Sequence, residues 1–195
     1  MANCDLFKKL TANIVYDCSP TGRAKAGLES KAVLINKSDL DLTALTQSGA
    51  TITNLSLKAG KTGFSIDWIK QLGNTTSAFA VNDSSVDSFT HLFACRVFGQ
   101  GANDAERIKE LSEGEFVVVV ESKWKGANNL GAFKVYGVES GLKMSEGNST
   151  SLENDGSFVF TLSSLEGFGE SYPWQVLLET SYVTTKAKFD DLFSE

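Results

Sequence analysis

The chain has 195 residues, a formal net charge of −6 and 42% hydrophobic residues, which suits one domain with a true core and extended appendages. The acidic balance argues against a surface built to grasp nucleic acid, which needs clustered lysine and arginine. The longest apolar run, residues 116–120, falls far short of the roughly 20 residues of a membrane-crossing helix.

Residues 1–31 read as a polar N-terminal arm interrupted by Pro20, Gly22 and Gly27. Within it Leu6, Phe7, Leu10 and Ile14 fit a short amphipathic turn, while residues 14–16 also suit a strand. Neither an apolar leader core nor a small-residue cleavage site follows Met1, so we expect a soluble protein made in a reducing cytoplasm. Cys4, Cys18 and Cys95 are odd in number and lack CxxC spacing. They read as small core or surface residues, and a Cys4–Cys18 bridge stays open because nothing fixes their separation.

A main domain is expected over residues 32–180. Residues 32–36 (AVLIN) form a strand ended by Ser38 and Asp39. Residues 51–58 and 62–66, with Trp68 beyond, read as a hairpin around Ala59-Gly60-Lys61. Residues 71–87 are rich in Asn, Ser, Thr and Gly around one apolar cluster at 79–81, and read as a long functional or disordered loop. Residues 88–98 alternate as a strand, with Phe89, His91, Phe93, Cys95 and Val97 on one face. One helix is expected over 103–112: Asp104 caps it, Ile108 and Leu111 face inward, and Gly114 follows its end. Three runs, 116–120, 132–138 and 158–162, are dominated by Val, Phe and Tyr and separated by turn residues. They read as consecutive strands of an antiparallel meander. Residues 174–179 add a strand. Residues 181–195 form a C-terminal tail with a weak amphipathic pattern through Phe189, Leu192 and Phe193.

The chemistry-bearing residues are few. Residues 92–121 imitate a dinucleotide fingerprint: a strand, Gly99-Gln100-Gly101, a helix, and a second strand ending at Glu121. Against it, the third glycine position holds Asp104, whose charge at a helix N-terminus repels pyrophosphate, and no further βα alternation follows. His91 is the only histidine and lies between Phe89 and Phe93, so it reads as a packed histidine with a satisfied hydrogen bond. HExxH, GxSxG and CxxC are absent, and the carboxylates fall singly or in solvated runs. We therefore assign no catalytic, cofactor-binding or metal-ligating residue and do not expect an enzyme. Taken alone, the residues define an acidic, mainly β domain with long polar loops and no obvious active site.

The layout of residues 114–166 goes further. A strand at 115–121, the phrase Phe133-Lys134-Val135-Tyr136-Gly137-Val138-Glu139-Ser140-Gly141-Leu142, an Asp155-Gly156 turn and a strand running from Leu162 toward Glu166 together resemble the major tail tube proteins of tailed bacteriophages, particularly of Bacteroides-type hosts. Residues 26–40 and 51–66 look like the front half of the same proteins. The resemblance implies an antiparallel β-sandwich or barrel with one short flanking helix and long loops. It also implies subunits that close into rings, usually hexameric, and stack into the tube through which DNA leaves the capsid. The partners so implied are further copies of the chain and the tail terminator, sheath, baseplate or tape-measure proteins. DNA would pass without specific binding, no membrane would be involved, and assembly would occur in the host cytoplasm before residence in the virion tail. On this reading the 71–88 loop and the arm order on stacking, and Phe189, Leu192 and Phe193 dock on the next subunit. An acidic lumen would let DNA slide. Two alternatives stay open: another head–tail joining, decoration or baseplate component, and a stand-alone carbohydrate- or protein-binding sandwich using Trp68, Trp124 and Trp174 as stacking platforms.

Overall fold

The computed structural model describes residues 10–14, 25–82, 86–165 and 167–194. Cys4, Cys18 and most of the N-terminal arm lie outside the described residues. The chain is mainly β, as the composition of its apolar runs requires, and its strands form two sheets.

The most apolar strand organises both. Strand β7 (Phe116–Ser122) is buried at every position, because the sheet containing it is covered on two faces; such a strand reads as a continuous hydrophobic run. Its antiparallel neighbours are β1 (Leu28–Asn36) on one side and β8 (Phe133–Tyr136) on the other. Four more strands complete this sheet: β2 (Thr46–Ser48), β3 (Thr51–Asn54), β4 (Phe64–Asp67) and β11 (Gln175–Leu177). Their order is β2-β3-β11-β8-β7-β1-β4, and the β3–β11 pair is parallel. The second sheet has four strands in the order β5-β6-β10-β9: β5 (Asn74–Ala80), β6 (Ser88–Val97), β9 (Lys143–Ser149) and β10 (Phe158–Ser163).

Alternation along the large sheet fills two separate cores. Ala32, Leu34, Val118, Val120 and Tyr136 meet Phe93, Cys95, Phe160 and Leu162 of the small sheet. Val33, Ile35, Val117, Val119, Phe133 and Val135 point the other way, onto Phe189 and Phe193. The result is a sandwich with a third layer, helix α2 (Tyr182–Asp190). Helix α1 (Ala102–Glu113) connects β6 to β7 and runs beside β9.

Several expectations are corrected. The three-run meander is divided: β7 and β8 are neighbours in the large sheet, while β10 belongs to the small one. The proposed 51–66 hairpin does not form. Leu55 and Leu57 dive into the α2-side core, so the chain has left the sheet before the Ala59-Gly60 turn, and β4 pairs with β1 instead. Residues 71–87 are not one long loop, since β5 pairs with β6 in unbroken register from Asn74–Ala94 to Ala80–Ser88. A second helix, α2, stands where only a weak pattern was read. Its N-cap is Ser181, whose hydroxyl accepts the Thr184 N–H at 3.2 Å. Phe189 and Phe193 do not wait for a neighbouring subunit, because both are fully buried against their own Phe133 side of the sheet.

Candidate functional site: an open sheet edge

The residues singled out for chemistry each have identifiable partners within the fold. The glycines Gly99 and Gly101 precede α1, but the strands on either side of that helix lie in different sheets, so there is no βαβ unit. Asp104 already occupies the helix start, its carboxylate accepting the Gly101 N–H at 2.9 Å. Glu121 is buried and binds Lys125 at 2.6 Å, Lys186 at 3.5 Å and the Tyr182 hydroxyl at 2.8 Å, tying β7 to α2. Burial alone would lower the Lys125 pKa. The hydrogen bonds to Glu121 and Tyr182 outweigh it, and the ammonium is held above the ordinary lysine range.

His91 makes two hydrogen bonds where one was expected. Its Nδ1 accepts the Gly137 N–H at 3.1 Å, which makes Nε2 the donor to the Tyr172 carbonyl at 2.9 Å. Its ring also meets Tyr136 edge-on at 5.1 Å. Burial pushes its pKa below the usual histidine value, against the opposing pull of Glu170. Glu170, buried, receives the backbone N–H groups of Glu139 and Ser140 and the Ser140 hydroxyl, at 2.8–3.1 Å. The Glu139 carboxylate in turn accepts the Ser171 N–H at 3.2 Å and the Ser171 hydroxyl at 2.9 Å. This cross-lock pins the Gly137–Gly141 turn. Both glycines have positive φ, and a Cβ on Gly137 would strike Leu142. The turn is thus what carries the chain from the large sheet to the small one. Cys95 is a buried free thiol whose pKa burial raises to about 11.

The tryptophans do not form one platform. Trp68 is core, packed near Phe93 at 6.1 Å. Trp174 is exposed and carries the Lys134 ammonium over its ring at 4.9 Å, while Trp124 is half-buried at a nearby cleft.

Functional interest falls instead on the sheet margins. A free strand edge offers unpaired N–H and C=O groups, and proteins blunt such edges with charge, shortness, bulges or cover. Three of the four margins are blunted. Strand β2 has only three residues, and β4 has four, with the C-terminal turn beside its start where the Gly63 N–H donates to the Leu192 carbonyl at 2.7 Å. Strand β9 carries Lys143 and Glu146, shifts register against β10, and is flanked by α1. Among the described residues strand β5 has none of these devices: it is seven residues long, regular and uncharged (NTTSAFA).

The surroundings of β5 extend the opening. Thr75 Oγ1 donates to the Tyr136 hydroxyl at 3.1 Å, which places β5 over β8. Strands β11, β3 and β2 therefore reach past the small sheet. On their uncovered face stand Thr53, Val176 and Trp174, opposite the inward Ile52 and Leu177. At the far end of β5, Phe79, Val81, Val86 and Phe168 are each at least 60% exposed, although Phe79 packs edge-on against Phe89 at 5.4 Å. An open edge, a bare ledge of the facing sheet and an apolar end thus share one flank. The signal available in the sequence was that residues 71–82 carry no charge, which is unusual for a solvated loop.

Among the described residues no helix is long and apolar enough to cross a membrane. Comparison with protein-family models, curated proteins and solved structures returns no match.

Proposed function

We propose that this chain is a structural subunit of a phage virion, a tail-tube building block that closes into stacked, hexameric rings around a channel for DNA. The single observation that carries the reading is the undefended β5 edge. A long, regular, uncharged edge strand invites aggregation in a protein meant to stay solitary, and is useful in one meant to join its neighbours. A ring needs a heterologous contact, in which β5 of one subunit joins a different surface of the next, and that arrangement is taken from the resemblance, not from the edge itself. The resemblance over residues 114–166 supplies the virion context, and the two-sheet architecture with a flanking helix suits it.

The test is electron microscopy of concentrated purified protein, with Ala78→Lys as the control. Wild-type chains form annuli or hollow filaments, and the variant, which places a charge in the middle of the edge, does not. Wild-type protein that stays monomeric at every concentration sinks the proposal. Deleting residues 71–87 would be a poorer test, because it removes a strand of the small sheet and half of the Thr75–Tyr136 contact.

A further inference from the structure

Beside the start of β5 lies a cleft of about 310 Å³ lined by Lys25, Asn74, Thr75, Ser122, Trp124 and Lys134, among others. Among the described residues its charged lining is entirely basic, in a chain whose acids outnumber its bases by 24 to 18. Lys134 is the informative residue. It sits on a central strand, half-buried, on the face turned toward the small sheet. Lys31, Lys37, Lys125, Lys186 and Lys188, with roughly a fifth to a third of their side chains exposed, each reach a carboxylate within 4 Å. Lys134 reaches none among the described residues. Its ammonium rests on the Trp174 ring, and burial alone holds its pKa below the ordinary lysine value. Desolvating a cation without an anion costs free energy that an apolar residue at the same place would not. A group kept at such a cost is a candidate for binding.

We propose that this cleft is a carboxylate-binding site in which Lys134 pairs with an acidic side chain of a second copy of the chain docked along β5. Trp174 covers one side of the ammonium, and Lys134 lines the cleft together with Asn74 and Thr75, which add polar partners. Two features favour a second copy as the source. Asn74 and Thr75 belong both to the cleft and to the open edge, so a neighbour paired with β5 passes the cleft mouth. The chain's surface also offers abundant exposed carboxylates, such as Glu153 and Asp155 at a protruding turn beside the 92%-exposed Leu152. The second-copy assignment rests on the assembly reading; the carboxylate chemistry of the cleft does not.

Two arms separate these. In dilute monomer, nuclear magnetic resonance of the Lys134 side chain is followed during titration with acetate, with chloride at matched ionic strength as control. A saturable shift specific to acetate is expected, and its absence overturns the site. In concentrated protein, Lys134→Met is expected to weaken association about tenfold at low salt, with Lys134→Arg retaining much of it. Met fills the same volume and keeps the fold, which circular dichroism and urea denaturation check. Association of Lys134→Met equal to wild type, with acetate binding intact, overturns the second copy as occupant and assigns the cleft to a free carboxylate. If wild-type protein never associates, the assembly reading and the second-copy source fail together, and the acetate arm alone decides the cleft.

Discussion

The two faces of the large sheet are finished very differently. On one, α2 lays Phe189 and Phe193 over Phe133, and the Glu121–Lys125–Lys186 cluster with the Tyr182 hydroxyl anchors the helix to the strand beneath. On the other, the small sheet covers β8, β7 and β1 and stops at β5, leaving the far strands and an uncharged edge in the open. Ion pairing and fully buried aromatic rings thus seal the α2 face, whereas the aromatic residues of the β5 flank, Phe79, Phe168 and Trp174, stand exposed at the proposed joining edge. Local finish, more than any cluster of reactive groups, distinguishes the stability half of this molecule from its proposed working half.

Breaking the sealed face has the largest expected effect. Phe189→Ala empties a fully buried site among Phe133 and Phe193, and costs about 3–5 kcal/mol of unfolding free energy, read from urea midpoints. Glu121→Gln leaves Lys125 and Lys186 beside a neutral amide. Because those lysines are partly exposed, the loss is smaller, on the order of 1–3 kcal/mol by the same assay, and it diminishes little with salt because Glu121 itself is buried. Loss of stability below 0.5 kcal/mol in both variants would mean that α2 does not seal the core.

The buried histidine sharpens the contrast through pH. The folded-state pKa of His91 lies below its unfolded value near 6.5, because burial disfavours the imidazolium more than Glu170 and Glu139 favour it. Protonation would also turn Nδ1 from acceptor to donor, against the Gly137 N–H. The sign follows: the unfolded chain binds the proton first, so stability is fully present above pH 6.5 and is lost as pH falls from there through the folded pKa. The slope is at most about 1.4 kcal/mol per pH unit. His91→Gln removes that component, and an identical pH profile for variant and wild type between pH 7 and 5 would contradict it.

On the open flank the expected stability change is smallest. Ala78→Lys alters the unfolding free energy by less than about 0.5 kcal/mol, because the position is exposed on an edge, yet it abolishes association. A variant that unfolds the chain instead would show that β5 is a stability element after all.

Much of the fold was legible because its strongest strands are made of little else than β-branched and aromatic residues. The FVVVV run of β7 announces a strand, and the alternation in β6 places His91, Phe93 and Cys95 on one face, which is buried. Pairing was not legible. Turn composition at 59–61 suggests a hairpin, but the destination of Leu55 and Leu57 is decided by the core beneath the sheet, which only tertiary structure shows. Strand β5 escaped because an edge strand with exposed faces needs no hydrophobic alternation. Helix α2 escaped for a related reason, since one of its two buried positions is Thr185, whose hydroxyl caps onto the Ser181 carbonyl at 2.9 Å, rather than an apolar residue. The Glu139–Glu170 lock joins residues 31 apart, and nothing in their local sequence marks the pairing.

The central claim is that β5 is the joining edge, and amide hydrogen exchange tests it most directly. Exchange is compared strand by strand between dilute and concentrated protein, with assembly followed in parallel by light scattering. The account predicts that association slows exchange along residues 74–80 while the buried interior of β7 is unchanged. Assemblies that form with exchange along 74–80 as fast as in the dilute chain would contradict it.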